Sequence, residues 1–198
     1  MGHTHYLTYD QTFLTQHHQV LVKGVTEFLC DAWQKGLINE NTFEKKQPIP
    51  HFLGYLKRND SQGLAQAFGN GEKHYGQIFL PTGCESFALD AKSDFVFCKT
   101  FKRNAAAEDD LVVAICFLIK SLAQKKVDFD SDGQPADLLG GAEMFMLVKQ
   151  QLPYLDEKSP SGTNTSEFLD ELEALFETVR SPESVPQPVE QKKSRMRP

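Results

Sequence analysis

The sequence predicts an α+β fold: a short three-stranded antiparallel meander packed on a buried central helix, with flanking amphipathic helices. Three observations predict it. Residues 111–119 (LVVAICFLI) are nine apolar residues without a break, and Lys120 is the only charge before Leu122. A helix on the surface would show a polar face, and a bilayer span needs about 20 apolar residues. Three short runs rich in Phe, Ile, Val and Tyr precede it, at 75–80, 85–89 and 95–101, separated by Gly, Pro, Asp and Ser. That is the pattern of a meander, which needs one face covered to be stable. Amphipathic periodicity then recurs on both sides of this block.

Taken in order, residues 9–35 carry Leu14, Leu21, Val25, Phe28, Leu29, Ala32 and Trp33 at helical spacing. Asp10 is placed to cap the start and Gly36 the end. The start, residues 1–8, reads as flexible. Residues 37–60 form a connector, broken at Pro48 and Pro50; two-turn helices are expected at 51–57 and, beyond it, at 61–68. Gly69, Asn70 and Gly71 are a breaker. After the meander, the central helix is expected over 106–126. Glu108, Asp109 and Asp110 lie at its positive end, and Lys120, Lys125 and Lys126 toward its negative end. Residues 127–133 read as a turn and 136–152 as a helix, with Pro135 at its first position and Gly140-Gly141 delaying its start. Met144, Phe145, Leu147, Val148 and Leu152 form its apolar face.

The domain organisation expected is one α+β domain over 1–155, a polar linker over 156–165, an amphipathic helix over 166–180 and a disordered tail over 181–198. Six of the ten prolines fall at or after Pro153. The tail carries Lys192, Lys193, Arg195 and Arg197 against Glu183 and Glu190, so it is +2 while the rest of the chain is −8. A net charge of −6 argues against general nucleic-acid binding, which needs a basic face. The start has no positively charged or apolar leader pattern, so reduced thiols in a cytoplasm are expected.

No motif gives strong chemistry. Cys30, Cys84, Cys98 and Cys116 form no C-x-x-C pair and read as small core residues. Cys30, beside Trp33, is the one candidate nucleophile. It lies near a helix C-terminus, where the dipole raises rather than lowers a thiol pKa, and only His74 stands as a possible base. Residues 128–133 (DFDSDG) match the opening of a calcium loop, but Pro135 and Leu139 stand where the eighth and twelfth positions need an apolar strand residue and a bidentate Glu. A solvated turn is the expectation. His3 and His5, and the adjacent His17 and His18, do not make a metal site by spacing. Neither a metal nor a cofactor is expected. The stripe of Phe168, Leu169, Leu172, Leu175, Phe176 and Val179, beyond a polar linker, is the candidate partner-binding surface, in the helix-in-groove mode.

A small acidic body of this length, helices on either side of a short meander, no catalytic motif and a polar end together resemble the chaperone-adaptors of the bacterial Dot/Icm type IVB secretion system, the IcmS, IcmW and LvgA group. Length and acidity are most similar to its LvgA branch. The resemblance implies a non-enzymatic adaptor in the cytoplasm, at the inner-membrane secretion complex through its partners. Those partners would be IcmS/IcmW-type chaperones and a coupling ATPase, to which it would help recruit effectors. No membrane span is expected. Two alternatives follow from the residues. The acidic stretch from Asp170 to Glu177 before a polar end is similar to the C-terminal signals of translocated effectors. A cysteine hydrolase using Cys30 is the other.

Overall fold

The computed structural model describes residues 3–43, 51–70, 77–81, 87–90, 95–100, 106–123, 126–149 and 166–180. A strand β1 (Thr4–Tyr9) leads into a long helix α1 (Gln11–Gln34). Asp10 caps α1 by accepting from the Thr12 N–H at 2.7 Å. The chain leaves it through Gly36 at φ +70°, a left-handed position that glycine adopts without strain. Two short helices follow, α2 (Phe52–Lys57) and α3 (Ser61–Asn70), and both pack on α1. Then come β2 (Gln77–Leu80), β3 (Phe87–Asp90), β4 (Phe95–Lys99), the central helix α4 (Ala106–Ala123) and β5 (Val127–Ser131). A 3-10 turn (Pro135–Leu138) opens into α5 (Leu139–Lys149), and α6 (Ser166–Arg180) completes the order.

The α+β class holds, with a three-stranded antiparallel sheet on a buried helix. Of the expected meander, its third strand, β4, belongs to this sheet, and the first two do not. The sheet runs β4-β1-β5, while among the described residues β2 and β3 pair with each other as a two-stranded unit. Two segments are thereby corrected. Residues 4–8, expected to be flexible, and Tyr9, expected to open the first helix, form the centre strand. Residues 127–131, expected to be a turn, form an edge strand. Both follow a period of two. His5, Leu7 and Tyr9 are buried on β1 while Thr8 is exposed; Val127 is buried on β5 while Asp128 and Asp130 are exposed.

Helix α4 lies under this sheet. Every residue from Leu111 to Ile119 is buried, and each large one contributes about 1.5–3 kcal/mol of burial energy. Its described helical span ends at Ala123 rather than at Lys126, which already leads into β5. On its other side α5 crosses closely, because Gly140 and Gly141 carry no side chain. A Cβ on Gly141 would stand 2.4 Å from the Val113 Cβ, and one on Gly140 would stand 2.2 Å from Asp110 Oδ1. The glycine pair is therefore the helix-crossing contact rather than a delay in the helix. The expected linker 156–165, its neighbours to 150 and the tail 181–198 lie outside the described residues.

Candidate functional site

Antiparallel pairing places the outward side chains of the sheet in rows. Tyr6 stands between Phe97 on β4 and Asp130 on β5, and Thr8 between Phe95 and Asp128. The β4 side of this face is aromatic and the β5 side is acidic. Phe95 is 42% exposed and Phe97 49% exposed. The Tyr6 and Phe95 rings stack with centroids 5.9 Å apart, and those of Phe95 and Phe97 lie 6.1 Å apart. Lys99 ends the aromatic row. A solvated sheet face ordinarily carries polar side chains. A contiguous exposed aromatic row is the informative departure, and it makes this face the candidate interaction surface.

The inward side of the same strands ends in a polar clasp. His5 is 1% exposed and pairs in register with Ser131. Its Nε2 lies 2.9 Å from Asp109 Oδ1, in the first turn of α4, and its Nδ1 lies 3.0 Å from Ser131 Oγ. An ionised carboxylate only accepts, so Nε2 carries the proton. Nδ1 accepts from the Ser131 hydroxyl when the ring is neutral and donates to Ser131 Oγ when it is protonated. The Gly133 N–H donates to Ser131 Oγ at 3.1 Å. Thr100 donates its hydroxyl proton to Asp109. His3 presents Nδ1 to Asp109 at 3.3 Å and Nε2 to Asp137 at 3.5 Å. Burial alone would raise the Asp109 carboxyl. Hydrogen bonds from His5 and Thr100, the His5 charge and a bond from His3 outweigh it and hold the group at about 2. Its neighbour Asp110 is pushed up to about 6 by burial, then by the charges of Asp109 and Glu143.

The order serine–histidine–carboxylate matches that of a hydrolase relay. In that template, however, serine faces Nε2 and the acid faces Nδ1. Here the nitrogens are reversed, the imidazole is buried and both of its nitrogens are bound within the protein. The arrangement fastens the first strand to β5 and to the start of α4, beneath the aromatic face.

The other expected residues fall as follows. Cys30 is 2% exposed, and burial followed by Asp60, Glu27 and Asp31 pushes its thiol up to about 11, so it is held as a thiol at neutral pH. Cys98 and Cys116 are buried, and burial also raises the Cys116 thiol well above its usual value. Cys84 and His74 lie outside the described residues. Asp128 and Asp130 stand on a strand rather than in a calcium loop, and Asp132 Oδ1 accepts from the Thr4 N–H at 2.7 Å. His3 and His5 belong to the clasp. Among the described residues no set of three His, Cys, Asp or Glu side chains is placed to hold a metal.

Helix α6 forms where expected, but its stripe faces home. Leu172 is 2% exposed and belongs to the core, with Leu169 and Phe176 packed against it and Val179 half-buried. The side chains of Phe168 and Leu175 lie outside the described residues. A partner would reach this stripe only by displacing α6. The sequence did carry the signal for the sheet face, in the alternation of Phe95, Phe97 and Lys99 with Val96, Cys98 and Thr100. It did not say which half faces outward.

No described helix is long and apolar enough to cross a membrane. Compared with protein-family models, curated proteins and solved structures, the chain matches none.

Proposed function

We propose that this chain is a non-enzymatic adaptor that binds other proteins through the outer face of its three-stranded sheet. The observation that carries the reading is the aromatic row of Tyr6, Phe95 and Phe97, with about half of the Phe97 surface open to solvent. Interfaces are enriched in such side chains, and a few of them supply most of the binding energy. The high thiol pKa of Cys30 and the closed bonding of His5 support a non-catalytic role. The resemblance to the Dot/Icm chaperone-adaptors supplies the finer proposal. The partners are IcmS/IcmW-type chaperones and a coupling ATPase, and the adaptor helps to recruit effectors to that complex.

Affinity purification of the tagged chain from its own cells, with mass spectrometry, tests this. The account expects stoichiometric secretion-system chaperones with the wild type and their loss with Phe97→Ser. A stable monomer bringing down none of them would reject the secretion proposal. Partners kept by Phe97→Ser would reject the sheet face.

A further inference from the structure

Resting on the adaptor reading, we propose that the occupant of the sheet face is a single amphipathic helix of the partner, apolar on one flank and cationic on the other. It lies along β1, with the apolar flank over Phe95 and Phe97 and the cationic flank over Asp128 and Asp130.

The dimensions of the face select a helix. From β4 to β5 is two strand spacings, about 9.5 Å, which is close to the diameter of one helix with its side chains. Along a strand, side chains on one face repeat about every 6.7 Å, against a rise of about 6 Å between helix positions i and i+4. Two cations four residues apart therefore match Asp128 and Asp130. Apolar residues at similar spacing on the opposite flank match Phe95 and Phe97. Tyr6, in register with both Phe97 and Asp130, lies under the helix axis.

The charges select the orientation. Asp128 and Asp130 are exposed and belong to an edge strand, where acidic side chains discourage the addition of another strand. Lys99 stands at the end of the aromatic row and repels a cation placed there. The cationic flank is thus directed to the β5 side. The opposite face of the sheet is already covered by α4, so the bound helix completes a three-layer arrangement in which both faces of the sheet are packed.

The test uses the full chain and a fluorescein-labelled model peptide of about 18 residues, long enough to span the strands as a helix. One version carries Leu on one flank and Lys at i and i+4 on the other; a second replaces Lys by Glu. Binding is followed by fluorescence anisotropy against the wild type and three variants: Phe97→Ser, Asp128→Asn with Asp130→Asn, and Glu171→Gln with Glu173→Gln. The last pair changes the net charge equally but lies on the exposed side of α6. The proposal expects the Lys peptide to bind and the Glu peptide to bind more weakly. Neutralising Asp128 and Asp130 weakens the Lys peptide about two- to tenfold, as two exposed ion pairs would. The α6 pair changes it less than about twofold, and Phe97→Ser lowers affinity further than either pair.

Equal weakening by the two charge pairs would overturn the proposal, because the attraction would then follow net charge alone. So would equal binding of the Lys and Glu peptides, or binding of neither. A wild-type dimer in sedimentation that Phe97→Ser dissociates would assign the face to a second copy of this chain instead. If the secretion partners are lost on Phe97→Ser while these peptides fail, the adaptor reading stands and the cationic helix does not.

Discussion

Asp109 accepts from three side chains, His3, His5 and Thr100, and so joins the first strand, the residue after β4 and the first turn of α4. Its folded value of about 2 lies below the usual 3.8. A depressed acid adds stability that is present above the unfolded pKa and is lost as pH falls through the folded one. The loss is therefore confined to the window from about pH 4 down to about pH 2. Asp109→Ala should remove about 2 kcal/mol or more at neutral pH, because it strands buried donors; denaturant unfolding at about pH 7 checks this. Asp110 has the opposite sign. Its folded value of about 6 exceeds 3.8, so the native state holds its proton more tightly and stability falls as pH rises through that window. Asp110→Asn should raise stability by about 1 kcal/mol near pH 7.5, discounted for partial exposure, and change little near pH 4. Melting curves at the two pH values measure the difference. An Asp110→Asn gain at both would contradict the assigned cause.

At the scale of elements, α6 separates the two candidate surfaces. Leu172 is in the core, so Leu172→Ala should cost about 2–5 kcal/mol, read from the shift in denaturant midpoint. A cost below about 0.5 kcal/mol would mean that α6 does not dock at home. Shortening the chain before Ser166 would likewise remove core packing along with any partner contact, and so cannot by itself map a partner to α6. Elements with a local signature were legible in the sequence. The unbroken run at 111–119 gave α4, Asp10 and Gly36 bracketed α1, and the stripe from Leu169 to Val179 gave α6. What stayed hidden was non-local. Thr4 pairs with Lys99 and Tyr9 with Val127, contacts across about half the chain that no local pattern announces. The D-x-D-x-D spacing of Asp128, Asp130 and Asp132 also has the period of a strand. Its inward partners Val127, Phe129 and Ser131 decide the matter, and they matter only once β1 is beside them.

For the whole molecule, the consequence is a sheet with two unlike sides. The buried side runs from an apolar middle on α4 to the His5 clasp at one end. The open side carries aromatic residues along β4 and acids along β5. The candidate site was only partly readable, because the third run's alternation showed two faces and not which one the fold would cover. The same geometry explains why the stripe on α6 was the natural sequence candidate. An amphipathic helix beyond a polar linker presents the same pattern whether it docks on its own chain or on another, and burial of Leu172 separates the cases.

The central claim is that the sheet face, not α6, meets the partner. Photo-crosslinking in the native cells tests it most directly, with a benzophenone amino acid at Phe97 in one strain and at Glu173, on the exposed side of α6, in another. The account predicts a discrete crosslinked protein from position 97 and none from position 173, with both chains retaining the wild-type melting temperature. Crosslinking from 173 with none from 97 would contradict it and return the partner surface to the last helix.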